Sequence, residues 1–254
     1  MIRLKLYTER EMDRQEKVIA VAQTVTPIRR LRGQARRLLR QLLSPLERAK
    51  TDEWSQWYQG VYRRLGERGL QCNKPGECMP ELILHDVEGN EQRLGRCWEG
   101  KPALLVTMSL SCGRTRRYAR ELERLAGRFK DAVNIAIIYV IEAHPVDVPS
   151  PYTEEIWLTP LNDIAGIRCQ QPQTLEERIA LARQLSRRFH LTTPMLIDAL
   201  DNRAWHAFGS APNVAILVQP DGRVFAKQGW FDPEEMEGKI KLLIADVERP
   251  MKLH

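Results

Sequence analysis

The sequence predicts an α/β fold preceded by a helical region, and three observations carry that prediction. Two continuous apolar runs, KPALLVTMSLS and NIAIIYVIEA, have the length and the Ile/Val content of strands buried within a parallel sheet. Between them, CGRTRRYARELERLAGRF carries Tyr118, Leu122, Leu125 and Phe129 at helical spacing, so the three segments form a β-α-β unit. Turn-centred segments flank this unit, one around Glu88-Gly89-Asn90 and one around Pro220-Asp221-Gly222, and each reads as a β-hairpin.

From the N-terminus, Thr8 and Glu11 have capping-box spacing and lead into a first helix that ends before Pro27. Thr26 and Pro27 suit the cap and first turn of a second helix. In it Ile28, Leu31, Ala35, Leu38, Leu39, Leu42, Leu43 and Leu46 recur at helical spacing, with arginines on the opposite face. A third helix aligns Trp54, Trp57, Tyr58, Val61 and Leu65, and GERGLQCNKPGE then reads as a linker. The chain therefore divides into a basic helical region, 1–74, and an α/β domain, 75–254.

After Pro75, ELILHDVEGNEQRLGRC supplies the first hairpin and the β-α-β unit follows. LEERIALARQLSRRFHL is amphipathic, PMLID is a short strand and AWHAFG a helical turn. APNVAILVQ and RVFAKQG make the second hairpin, and DPEEMEGKIKLLIADV closes the domain as a helix capped by Asp232 with Pro233 at its first position. The order is that of a thioredoxin-like fold with an N-terminal β-hairpin extension.

Charge is uneven. Residues 1–74 hold 17 Lys and Arg against 8 Asp and Glu, whereas the remainder holds 22 against 25. The basic second helix suits contact with an acidic partner or a membrane surface, or packing as an appendage on its own domain or a partner subunit. Its arginines would attract phosphate, but the chain has no specific nucleic-acid motif. No run approaches the roughly 18 apolar residues of a membrane span, and the opening segment turns polar where a secretory signal would be apolar, so the expectation is cytoplasmic. The five cysteines lack Cys-x-x-Cys spacing, which speaks against a disulfide framework or a zinc ribbon; no metal and no cofactor is expected.

Cys112 is the most informative of the five. It lies where the first buried strand gives way to a helix, whose free N–H groups and positive dipole end favour a thiolate, with Arg114, Arg116 and Arg117 nearby. These features predict a depressed thiol pKa and a nucleophile competent near neutral pH. Pro212 precedes the penultimate strand, where this topology commonly places a cis proline beside the active thiol. Cys78, Cys97 and Cys169 are candidates for a second, resolving thiol; Cys169 is favoured because it falls on the long connection after the second strand.

At IYVIEAHPVD the sequence resembles the iodothyronine deiodinases, which carry Tyr-Ile-Glu-Glu-Ala-His-Pro/Ala-Ser-Asp at the end of the corresponding strand. KPALLVTMSLSCGRT resembles the family's strand and Gly-Ser-x-Thr-selenocysteine turn, and LIDALDNRAWHAFGSAPNVAILVQPDGRVFAKQG and FDPEEM follow its later segments in order. The resemblance covers roughly residues 75–247. It implies that Cys112 takes the selenocysteine position with Ser109 and Ser111 beside it, that Glu142 and His144 are its partners, and that Asp198 and Asn202 match further family positions. His144 is then expected to exchange protons near pH 7 and Glu142 to orient it. The resemblance also implies a homodimer.

Some family features are replaced. Gly113-Arg114-Thr115 stands for Pro-Pro-Phe, Val148 and Pro149 stand where the family has tryptophan after its His-Pro-Ser-Asp stretch, and the family's downstream substrate-recognition histidine has no counterpart in IRCQQPQTLEER. Thyroid-hormone specificity is therefore not implied. The first functional expectation is a thiol-dependent oxidoreductase with Cys112 as nucleophile. Its partners would be a small-molecule electrophile or peroxide and an external thiol reductant. A peroxiredoxin-like peroxidase is the nearest enzymatic alternative, although Leu105 occupies the place of that family's proline. A non-catalytic binding module using the basic helices is the alternative from another class.

Overall fold

The computed structural model describes residues 45–247. The first expected helix and the basic second one up to Ser44 lie outside the described residues, and Pro45 and Leu46, expected to end the second, open the next helix instead. Helix α1 (Pro45–Gly69) leads to the hairpin β1 (Ile83–His85) and β2 (Glu91–Arg93), followed by a 3-10 turn over Leu94–Trp98. Next come β3 (Ala103–Met108), α2 (Gly113–Phe129) and β4 (Asn134–Tyr139), then α3 (Pro160–Ile164), α4 (Leu175–Phe189), β5 (Met195–Ile197) and α5 (Arg203–Ala207). The hairpin β6 (Ala215–Val218) and β7 (Val224–Gln228) and helix α6 (Pro233–Val247) complete the domain.

The seven strands form one sheet in the order β2-β1-β5-β4-β3-β6-β7. β3, β4 and β5 are parallel, and the two hairpins flank them antiparallel. This is the thioredoxin-like fold with its added hairpin. The apolar runs are continuous because both faces of the central strands are covered. Along β3, Leu104, Val106 and Met108 face a core with Leu122, Leu125, Leu185, Phe231 and Ile240 of α2, α4, α6 and its lead-in. Ala103 and Leu105 face the opposite core with Leu84, Leu94, Trp98, Trp205 and Phe208. Each large side chain buried this way contributes about 1.5–3 kcal/mol.

The segment expected to be a linker is not one. α1 continues through Gly69, and its end is pressed onto the turn after β7. A Cβ on Gly229 would lie 1.9 Å from the Gly66 carbonyl oxygen, and one on Gly66 would meet the Trp230 ring at 2.7 Å. Gly66, in the segment expected as a linker, and Gly229, at the end of the second hairpin, let two backbones approach. Nearby, Val61 and Leu65 form a third apolar cluster with Trp157, joined by Trp57, Tyr58, Tyr152 and Trp230.

Candidate active site

β3 and β4 run parallel with Met108 beside Tyr139, so both strands deliver the residues that follow them to one edge of the sheet. Beyond β3 the chain turns through Ser109, Leu110 and Ser111 to Cys112, the N-cap of α2. Beyond β4 come Glu142 and His144. The first three of these expectations, Cys112, Glu142 and His144, are thereby brought together, with Ser111 between them.

Glu142 is fully buried and is the hub. Its Oε1 accepts from the Leu110 amide at 3.3 Å, and its Oε2 accepts from the Ser111 amide at 2.8 Å and the Ser111 hydroxyl at 2.5 Å. The Tyr139 hydroxyl donates to the same carboxylate, and the Cys169 thiol lies 3.5 Å from Oε2. Ser111 Oγ in turn accepts from the His144 amide at 2.9 Å. The Ser111 carbonyl accepts from Arg116 and from Asn162, each at 3.1 Å, which fixes the turn before the thiol. Gln171 holds the Glu142 backbone in a two-way pair, accepting from its N–H at 3.0 Å and donating to its carbonyl at 3.4 Å.

Cys112 is only 3% exposed, and that alters its expected chemistry. Burial pushes its thiol up from the ordinary value, opposed by the amides of Arg114 and Thr115, the Thr115 hydroxyl and the Arg116 charge. The helix-terminus contributions predicted from sequence are present, but desolvation of the charged form outweighs them. The described arrangement thus holds a protonated thiol rather than the expected thiolate.

His144 departs from expectation in the same sense. Burial lowers its pKa to about 3, with Arg116 also lowering it and the bond to the Trp157 carbonyl opposing. That carbonyl lies 2.9 Å from Nδ1 and can only accept, so the neutral ring carries its proton on Nδ1 and leaves Nε2 as an acceptor. The Trp157 ring meets the imidazole edge-on at 4.4 Å.

α1 closes the site from above. Trp57 and Tyr58 pack edge-on against Trp157 at 5.4 and 6.2 Å, and Tyr62 stacks on Trp230 at 4.4 Å. Arg114, two residues after Cys112, donates to the Tyr62 hydroxyl and, at 2.6 Å, to the Phe231 carbonyl. Its guanidinium also sits over the rings of Tyr118, Tyr62 and Trp230. The Tyr58 hydroxyl is raised above its ordinary pKa by burial and then by Cys112, which places the two groups within electrostatic reach.

Ser109 is buried with its hydroxyl unpartnered, and its carbonyl accepts from the Cys112 amide at 3.3 Å. Pro212 is buried at the entry to β6, but its peptide bond is trans, the intrinsically preferred isomer. Asn213 and Thr107 anchor that segment instead: Asn213 donates to the Thr107 carbonyl at 3.0 Å and the Val214 amide to the Thr107 hydroxyl at 2.7 Å. Asp198 and Asn202 serve the fold. Asp198 accepts from the Ala204 and Trp205 amides at 3.0 and 2.8 Å, capping α5, and Arg178 binds the Asp198 carbonyl and Asn202 Oδ1.

Sequence reasoning missed Tyr139, Trp157, Asn162 and Gln171. Tyr139 ends an apolar strand and reads as core, while Trp157 and Gln171 lie in irregular chain. Only α3, which carries Asn162, had a signal: Thr159 as N-cap followed by Pro160. Among the described residues no three His, Cys, Asp or Glu side chains gather to hold a metal, and no helix is long and apolar enough to cross a membrane.

Comparison with known proteins gives this geometry a family. Residues 47–237, three quarters of the chain, match the iodothyronine deiodinase family. The chain belongs to the iodothyronine deiodinase family. The match starts inside α1, so the helix that closes the site falls within it. Type II iodothyronine deiodinase of Fundulus heteroclitus is 32% identical over 97 residues, covering 37% of this chain and 34% of that protein. The chain thus spans about a third of the length of the curated relative it matches.

Among solved structures, an uncharacterized conserved protein from Geobacillus kaustophilus superposes with a TM-score of 0.51 at 15% identity, covering 72% of this chain and 88% of that one. A thiol-disulfide oxidoreductase from Bacteroides fragilis gives 0.45 at 16% identity, covering 66% and 99%. Deiodinase-family membership and the thioredoxin-like fold support a thiol-based redox function.

Proposed function

We propose that this deiodinase-family protein is a thiol-dependent oxidoreductase in which Cys112 reduces a small electrophile and an external thiol regenerates it, with no cofactor. The observation that carries the reading is a cysteine at the N-cap of α2, joined through Ser111 to a buried glutamate and histidine. With an iodinated phenol, the Cys112 thiolate takes the iodine as a sulfenyl iodide and the aryl carbon takes a proton; a thiol then displaces iodide to give a disulfide. With a hydroperoxide, sulfur takes one oxygen to become a sulfenic acid and water or an alcohol leaves.

Neutral His144 has an unprotonated Nε2 and serves as a proton acceptor, while the Ser111–Glu142 pair supplies exchangeable protons beside the thiol. The closed form is a resting state. Displacing the aromatic face of α1 admits substrate and water, which moves both Cys112 and His144 back toward their ordinary pKa values.

The test is turnover of an iodinated phenol, a hydroperoxide and a small disulfide with dithiothreitol as reductant. Cys112→Ser is expected to abolish turnover of whichever substrate the wild type consumes. Wild-type rates in that variant would overturn the proposal.

A further inference from the structure

Regeneration poses a separate question: whether the external thiol attacks Cys112 directly or a second cysteine of the chain intervenes. Topology eliminates most candidates. The Cys97 carbonyl is bonded by Asn134 at the opposite end of β4, and Cys78 bridges to Arg223 in the turn beyond β6. Both therefore sit at the far edge of the sheet, about 20 Å away for six residues of strand. The Cys72 carbonyl is tied by Lys227 of β7, the edge strand separated from β3 by β6.

Cys169 is placed differently. Its thiol donates to Glu142 Oε2, the oxygen that also accepts the amide and hydroxyl of Ser111, the residue bonded to Cys112. Arg116 interacts electrostatically with both thiols. Cys169 is thus linked, through one carboxylate oxygen, to the residue that precedes Cys112. Cys169 also lies on irregular chain between α3 and α4, where a shift breaks no helix or strand.

We propose that Cys169 is the resolving thiol. This rests on Cys112 being the reactive group. After Cys112 has taken oxygen or iodine, Cys169 gives its proton to Glu142 and its sulfur attacks the Cys112 sulfur. The bond from Cys112 to hydroxyl or iodide breaks, and a Cys112–Cys169 disulfide forms. The leaving hydroxide takes up a proton as water; iodide leaves as the anion. A dithiol then reduces the disulfide, becoming a disulfide itself. Bonding requires the two Cα atoms to lie within roughly 4.4–6.8 Å of each other.

The test treats the reduced full-length protein with one equivalent of hydrogen peroxide and maps its peptides by mass spectrometry. Wild type should lose two hydrogens as a Cys112–Cys169 cross-link. Cys169→Ser and Cys169→Ala should instead gain one oxygen at Cys112, trapped by dimedone, with cooperative thermal unfolding near the wild-type midpoint confirming that both variants fold. A wild type that accumulates the dimedone adduct at Cys112 while Cys169 stays free to alkylate would overturn the resolving role and leave Cys112 as nucleophile. No oxidation of Cys112 in any of the three proteins would instead overturn the reading on which the proposal rests.

Discussion

Two buried carboxylates leave the sheet at the ends of neighbouring strands, Glu142 after β4 and Asp198 after β5. Both accept two backbone amides: Glu142 those of Leu110 and Ser111, Asp198 those of Ala204 and Trp205. Their remaining partners differ. Glu142 also takes the hydroxyls of Ser111 and Tyr139 and the thiol of Cys169, all of which carry exchangeable protons. The other nearby charges at Asp198 are Asp201 and Arg178, the latter itself bonded to the carbonyls of Asp198 and Ala199. One carboxylate has neighbours with protons to pass on, and the other has none. Burial and a match to the family's sequence are common to both, so what sets Glu142 apart is the kind of donor around it.

The largest expected effect separates the two directly. Glu142→Gln should lower turnover by about 10²–10⁴-fold, the range of positioned acid–base groups, as measured by steady-state kinetics with the substrate found for the wild type. A loss no larger than that of Asp198→Asn would erase the distinction.

Acid stability comes next. His144 is held at about 3 against an ordinary 6.5, so the unfolded chain binds a proton that the folded protein refuses. Stability is full above about 6.5 and falls by several kcal/mol as pH drops from there toward 3. In His144→Asn, urea titrations over that range should show a much flatter slope.

Asp198→Asn should cost about 1–3 kcal/mol in urea unfolding, because a neutral amide cannot accept both α5 amides equally, with turnover unchanged. The smallest effect concerns access. Gly229→Ala would drive a methyl into the Gly66 carbonyl and loosen α1, raising the rate of Cys112 alkylation by about tenfold for a contact weakened by roughly 1.4 kcal/mol.

Much of the fold was legible because its signals are local. The apolar runs of β3 and β4, the periodicity of α2 and α4, and the turn residues of the hairpins each specify an element without reference to the rest. Family resemblance singled out Cys112, Glu142 and His144, and parallel pairing of β3 with β4 explains why they meet. What was not legible depends on contacts between distant segments. Gly66 and Gly229 are 163 positions apart in the chain, so nothing near either reveals that they touch. The pKa expectations for Cys112 and His144 erred for the same reason: helix position is visible in sequence, whereas the cover supplied by Trp57, Tyr58 and Trp157 is not.

The central claim is that a buried thiol, rather than an exposed one, is the reactive group. It is tested most directly by limiting oxidation of the reduced protein followed by quantification of all five cysteines, since Cys78 is exposed and Cys112 is 3% exposed. The account predicts that Cys112 is oxidised first while Cys78 remains reduced. Oxidation in order of exposure, with Cys78 first and Cys112 last, would contradict it.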